Sequence, residues 1–313
     1  MTIAMPHLYQ LEDVQLERPS MVTIGVFDGV HRGHQQPVGQ LIAQAHAAGQ
    51  QAVVLTFHPH PDVVLKNITG RYYLTSPEQR AKLLLDMGVD MVITHPFNAA
   101  VRQMRAADFV DNLLRHLKMT SLWVGADFAL GYKREGNVAF LTEQGIQKGF
   151  SVQVVDLLEH PDAQHRISST GIREALAAGD LAKANDWLGR AYRVEGEVMS
   201  GQKRGRTIGF PTANIQVWAE QLLPGNGVYA GWVTIDSEKF MAVTNIGVRP
   251  TFEGQHVTVE AHILDFDRDI YGKTVALTFE KRLRPEQKFN GIQELIAQIQ
   301  NDVQTGREFL LGY

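Results

Sequence analysis

Apolar residues in the first half of the chain fall into short unbroken runs, and the stretches between them carry helical spacing. The segments 22–27, 51–57, 91–94, 121–125 and 151–156 are nearly all apolar and do not alternate with polar positions. Runs of that kind are strands covered on both faces. Between them, Val38, Leu41, Ile42 and Ala45 fall at i, i+3, i+4 and i+7, which predicts a helix over about 34–48. Phe109, Val110, Leu113, Leu114 and Leu117 predict another over about 106–118. In SPEQRAKLLLDMG, Ser76 is an N-cap, Pro77 the first helical residue, Gln79 the partner in a capping box and Gly88 the stop. Gly49 closes the earlier helix, and Pro37 reads as a first-turn residue whose missing N–H has no helical partner to lose. Strand and helix in alternation predict a Rossmann-like parallel α/β sheet with helices on both faces. Ligands of such sheets bind beyond the carboxyl ends of the strands.

The pattern changes after about residue 187. Helices over about 169–178 and 180–188 lead to short strand-like segments at 192–199, 228–236, 240–246, 257–264 and 274–280. Gly, Pro, Asn and Asp turns separate them, which predicts a small antiparallel β-barrel or sandwich. A last helix over about 290–304 presents Ile292, Leu295, Ile296 and Ile299 on one face. The expected division is residues 1–187 and 188–313.

Composition narrows the chemistry. A chain of 313 residues, 44% apolar and 20% charged, is ordinary for a globular protein and long enough for two cores. With no cysteine, thiol nucleophiles, disulfides and cysteine-based metal centres are excluded. A net charge of −4 argues against a nucleic-acid partner, the basic run KRGR at 203–206 notwithstanding. The N-terminal stretch lacks a basic region followed by an apolar one, and no apolar run is long enough for a bilayer. No membrane association and a cytoplasmic location are therefore expected.

GVFDGVHRGHQ (25–35) sits where a strand hands over to a helix. Helix starts collect N–H groups and positive dipole, so this is a natural anion site. His31 and His34 are three apart and point the same way, suited to donate to phosphate oxygens. Gly29 and Gly33 let phosphate approach the backbone, and Asp28 either fixes the loop or positions a metal. A rival reading gathers His31, His34, His58 and His60 into a zinc cage. H-x-G-H at this place is the signature of nucleotidylyl transfer, in which the histidines stabilise charge at the transferring phosphorus. Ser168, Ser169 and Thr170 at a later helix start, with Arg173 one turn on, are candidates to hold the β- and γ-phosphates; the bland reading is an N-cap and a surface arginine. Asp127 is a further candidate for the nucleotide site.

In GFPTANI (209–215), Thr212 and Asn214 are two apart and would face the same way in a strand. Two neutral oxygen ligands suit Mg²⁺ bound to nucleotide phosphates. Upstream, Gly201, Lys203, Gly205 and Arg206 could wrap a triphosphate. Glu260 alternates with apolar Val259 and Ala261, so it shares a face with Thr258 and His262. A carboxylate there could accept a proton from a hydroxyl, although these residues alone favour a solvent-facing strand position.

These segments come in a familiar order. GVFDGVHRGHQ, TFHPHP, VGADFALGYKREG and ISSTGIR resemble the adenylyltransferase half of the prokaryotic bifunctional riboflavin kinase/FAD synthetases. GQKRGRTIGFPTANI, GVYAGWV, TNIGVRPTF, VEAHILDFDRDIYGK and RLRPEQKF resemble its riboflavin kinase half. The resemblance implies a C-terminal barrel that phosphorylates riboflavin to FMN, with ATP as co-substrate, Mg²⁺ at Thr212 and Asn214, and Glu260 as base. It implies an N-terminal domain that adenylylates FMN to FAD, with His31, His34 and Arg173 in catalysis. Gly25 and Phe27 then join the nucleotide site, while Pro59, His60, Pro61, Asn245 and Arg249 contact flavin. The family usually carries an acidic residue where His58 stands and an Arg-Phe-Gly-like run where this chain has Ala129, Leu130 and Gly131. The alternative reading is a monofunctional riboflavin kinase whose first domain is impaired.

Overall fold

A computed structural model describes residues 7–155, 167–200, 205, 208–251 and 254–312. The chain folds into two compact units, Met1–Thr69 with Thr75–Ile167, and Gly70–Leu74 with Ser168–Tyr313.

The first unit carries strands β1 (His7–Leu8), β2 (Ser20–Ile24), β3 (Gln51–His58), β4 (Met91–Pro96), β5 (Met119–Gly125), β6 (Ala129–Leu130), β7 (Gly136–Asn137) and β8 (Ser151–Val155). Its helices are α1 (Arg32–Ala47), α2 (Pro61–Leu65), α3 (Pro77–Asp86), α4 (Ala99–Gln103), α5 (Ala106–Leu117) and α6 (Val138–Lys148). Six strands form an all-parallel sheet in the order β1-β4-β3-β2-β5-β8, and β6 and β7 make a separate hairpin. The order reverses between β2 and β5, so the loops after these two strands diverge at a topological switch point. Each strand feeds both faces. Val53 and Leu55 pack with Phe109, Val110, Leu113 and Leu141 of α5 and α6, whereas Val54 packs with Val38 of α1 and Ala81 and Leu84 of α3. That two-sided burial explains the unbroken apolar runs.

Local signals held where they were strong. Both hydrogen bonds of the Ser76–Gln79 capping box are present. Two details differ. Strand β2 ends at Ile24, short of the expected residue 27, because Phe27 turns to φ +51 and leaves extended geometry. Helix α1 starts at Arg32, so Pro37 stands in its second turn and offers no N–H to the Gly33 carbonyl. Helix α6 was not foreseen. Gly145 interrupts its pattern, and the reason is steric: a Cβ there would meet the Phe150 carbonyl oxygen at 2.4 Å.

The second unit opens with α7 (Ser169–Ala178) and α8 (Leu181–Leu188). Strands β9 (Tyr192–Met199), β10 (Ala213–Val217), β11 (Gly227–Ile235), β12 (Glu238–Thr251), β13 (Gly254–Ile263) and β14 (Thr274–Arg284) follow, then α9 (Ile292–Leu311). The strands close into an antiparallel barrel in the order β10-β13-β12-β11-β14-β9. The boundary falls at Ile167/Ser168, ahead of the 187/188 position where the sequence pattern changes. The side chain of Asn185 shows why α8 groups with the barrel: it donates to the Phe279 carbonyl (2.9 Å) and accepts from the Tyr192 amide (2.8 Å). Helix α9 runs past the expected residue 304 because its packed face continues, through Gly306 against Val243 to the buried Leu310.

Residues 70–74 belong to this second unit although they are early in the chain. Arg71 donates to the carbonyls of Trp218 and Gln221 (3.0 and 2.7 Å). The buried Tyr73 packs its ring on Trp218, and the buried Gln221 side chain donates to the Leu74 carbonyl (3.1 Å).

Candidate active sites

In the first unit, the loop between β2 and α1 is strained. Phe27, Gly29 and Val30 all have positive φ (51°, 82° and 40°), and for a β-branched valine that is a true outlier. Its surroundings over-determine it. The buried Asp28 carboxylate accepts from the amide (3.1 Å) and hydroxyl (3.3 Å) of Thr75, whose hydroxyl accepts from the Gly29 amide (3.2 Å). Gln35 donates to the Val30 carbonyl (2.8 Å). Asp28 thus helps to fix the loop, and Thr75, which the sequence reading passed over, is one of its partners.

The loop delivers His31 to the N-cap of α1, where it is buried. His34, one turn on, stacks on it with ring centroids 3.6 Å apart, and Phe27 meets the His34 ring edge-on at 5.3 Å. Gly33 between them leaves a close fit, since a Cβ would lie 3.2 Å from the His31 ring and 3.3 Å from the Ile167 carbonyl. Nδ1 of His34 is buried with no hydrogen-bond partner among the described residues. Burial, then the neighbouring His31 and Arg80, hold its pKa well below the usual 6.5. The neutral form of His34 is therefore favoured near pH 7. The unfolded chain binds this proton below pH 6.5 and the folded chain resists it, so stability rises with pH up to about 6.5 and is flat above. His34→Gln is expected to remove that acid-side loss, read as a flatter dependence of melting temperature on pH.

Gly25, His60, Pro61 and Asp127 line a cavity of about 830 Å³ at the carboxyl ends of β2 to β5. Its walls include Phe57, Phe97, Phe109 and Phe128, a lining suited to a flat ring system. Pro59 is exposed and outside this lining. His60 caps α2, its Nδ1 accepting from the Asp62 amide (2.9 Å). No group of three or more His, Asp or Glu residues placed to hold a metal occurs among the described residues, which counts against the zinc-cage reading. Ala129, Leu130 and Gly131 border the same cavity; Gly131 has φ +76, and a Cβ there would lie 2.6 Å from the Ala106 nitrogen.

Ser168, Ser169, Thr170 and Arg173 lie in the second unit. Ser168 is the N-cap of α7, accepting from the Gly171 amide (3.2 Å). The Arg173 guanidinium stacks 3.9 Å above the Tyr72 ring and donates to the Tyr72 carbonyl (2.8 Å).

The barrel gathers the other candidates. Asn214 pairs with Glu260 across β10 and β13, and Glu260 pairs with Asn245 across β13 and β12. Directly paired residues share a face, so the three side chains form one row on the barrel. Glu260 and Asn245 line a cavity of about 300 Å³ with Thr212, Gly205 and Arg284. Gly205 is required there, because a Cβ would lie 2.2 Å from the Phe210 carbonyl oxygen. His262 donates through Nδ1 to the Pro211 carbonyl (2.8 Å), which anchors the segment carrying Thr212. Gly201, Lys203 and Arg206 lie outside the described residues, and Arg249 is described by its backbone alone, opposite His256.

Arg284 was missed by the sequence reading. Its guanidinium holds the buried Asp302 of α9 through three contacts of 2.8 to 3.0 Å. Removing one member of such a pair strands a buried charge. Asp302→Ala is expected to destabilise the barrel unit by about 3–5 kcal/mol in chemical denaturation.

Comparison with known proteins covers both units. The FAD synthetase family model matches residues 13–171 and the riboflavin kinase model residues 188–310. The chain is 41% identical to a bifunctional riboflavin kinase/FMN adenylyltransferase of Listeria monocytogenes, over 92% of each chain. It is 39% identical to one from Pseudomonas fluorescens, over 93% of each, and 34% identical to one from Bacillus subtilis, over 97% of this chain and 96% of the other. Among solved structures, a Streptococcus pneumoniae protein described as a macrolide-efflux protein superposes with a TM-score of 0.86 at 28% identity, covering 96% of this chain and 98% of that one. No helix of the described residues is long and apolar enough to cross a membrane.

Proposed function

The chain belongs to the bifunctional riboflavin kinase/FMN adenylyltransferase family, and from that premise we propose that it makes FMN and then FAD. In the barrel unit, the ribityl 5′-hydroxyl of riboflavin attacks the γ-phosphorus of ATP, Glu260 accepts the hydroxyl proton, and ADP leaves. In the sheet unit, a phosphate oxygen of FMN attacks the α-phosphorus of ATP and pyrophosphate leaves. His31 and His34 stabilise the charge that builds on the transferring phosphorus. The two leaving groups differ, so two pockets are required.

The row Asn214–Glu260–Asn245 carries the reading, because it sets a carboxylate between two amides on the face that borders the 300 Å³ cavity. Thr212 and Asn214 offer neutral oxygens beside that carboxylate, a donor set that fits Mg²⁺, which keeps several of its waters. Bound there with ATP, Mg²⁺ would neutralise phosphate charge. Asn245 and Arg249 are proposed flavin contacts, and Gly201, Lys203, Gly205 and Arg206 the triphosphate wrap. In the sheet unit, the phenylalanine-lined cavity with His60 and Pro61 is the proposed flavin site, Pro59 standing beside it in sequence. Gly25, Phe27, Asp28, Gly29, Gly33 and Asp127 then form the proposed nucleotide site, and Ser168, Ser169, Thr170 and Arg173, which fold with the second unit, are proposed phosphate ligands on the sequence resemblance alone. Matches to both halves favour two activities over a monofunctional kinase. Both reactions consume ATP, which supports a cytoplasmic setting.

The test is a time course of flavins separated by chromatography after adding riboflavin, Mg²⁺ and ATP. FMN appearing first and FAD second is the expected result. FMN without FAD would return the monofunctional reading, and no FMN at all would overturn the kinase assignment.

A further inference from the structure

Arg80 reads in sequence as one more polar residue of an amphipathic helix, yet it is the largest fully buried side chain among the described residues. Burying a guanidinium is costly unless its donors are met. Here Nη1 donates to the Val26 carbonyl (3.0 Å) and Nη2 to the Phe57 carbonyl (3.1 Å). Those carbonyls stand just past β2 and near the end of β3, and both residues line the large cavity of the sheet unit. Val26 directly precedes the strained Phe27, and its carbonyl also accepts from the Thr56 hydroxyl (2.8 Å). The capping box of α3 sets the direction of Arg80, whose amide donates to the Ser76 carbonyl one turn back (2.9 Å).

We propose that Arg80 is a positioning residue for adenylyl transfer, fixing the Val26–Val30 loop and the cavity floor through two carbonyls and placing a permanent positive charge behind His34. The proposal rests on the assignment of that reaction to the sheet unit. The groups acting electrostatically on His34 are His31 from the same loop and Arg80 from α3, and both favour its neutral form. A polyphosphate reverses the balance, since nearby negative charge favours the imidazolium. Nucleotide binding then draws a proton onto the histidine pair at the moment charge must be stabilised.

Full-length Arg80→Met and Arg80→Lys test this. On each, FMN adenylylation is measured for kcat, KM and pH dependence, with riboflavin phosphorylation on the same sample as a folding control. The His34 imidazole is titrated by NMR. Arg80→Met is expected to lower kcat for FAD formation about a hundredfold, as for a misplaced reacting geometry. Riboflavin phosphorylation should be unchanged, and the His34 titration should move to higher pH with the ionisation seen in kcat/KM. Arg80→Lys keeps the charge but not the fork, so its His34 titration should match the parent while kcat recovers only in part. Parent-like kcat or a parent-like His34 titration in Arg80→Met overturns the proposal. If the methionine variant does not fold, the lysine variant decides: loss of kcat with phosphorylation intact supports the role, and parent kcat overturns it. A parent that makes no FAD sinks the functional assignment instead, and the His34 titration still tests whether Arg80 sets its charge.

Discussion

Glu260→Gln is expected to cut FMN formation from riboflavin by about 10²–10⁴-fold, the range for loss of a general base and roughly 3–5 kcal/mol of barrier. The substitution keeps the side-chain shape and its place between Asn214 and Asn245. It removes the negative charge and with it the capacity to take a proton. The KM for riboflavin should therefore change little, and FAD formation from supplied FMN should stay at the parental rate. Separate assays started from riboflavin and from FMN give both numbers. A glutamine variant that phosphorylates riboflavin at the parental rate would mean that the hydroxyl proton leaves by another path.

The mirror-image result is expected for His31→Ala. FMN should accumulate normally, while its conversion to FAD falls by about 10²–10³-fold, as when one preorganised donor to a developing oxyanion is deleted. His31 sits at the N-cap of α1 against His34, so the two rings act as one unit. Effects within such a unit are far from additive. The double variant with His34→Ala should therefore lose little beyond the single one. Equal slowing of both reactions would instead point to a folding defect and would count against a specific role.

The strand-to-helix turn at 25–35 was legible because glycine, histidine and an apolar flank announce such a turn locally. The Ser76–Gln79 box was legible for the same reason, being complete within four residues. Glu260 was half legible: alternation gave its face, while its pairing with Asn214 joins strands far apart in the chain, which no local window contains. Thr75 and Arg80 were missed because their partners, Asp28, Val26 and Phe57, are remote in sequence. Arg80 also broke the usual rule that arginine faces solvent. Ser168 was read two ways, and its hydroxyl is engaged in capping.

The excursion of residues 70–74 into the barrel unit bears on how the protein is made. Leu74 leaves the ribosome 147 residues ahead of Gln221, so at roughly 5–20 residues per second this stretch waits about 7–30 s for its partner. Through that interval the nascent chain carries the Tyr73 ring without Trp218 to pack on, while Thr75, just past the stretch, can already join Asp28. A chain stalled shortly before residue 218 should accordingly be cleaved by protease at 70–74, and one released past the barrel should not.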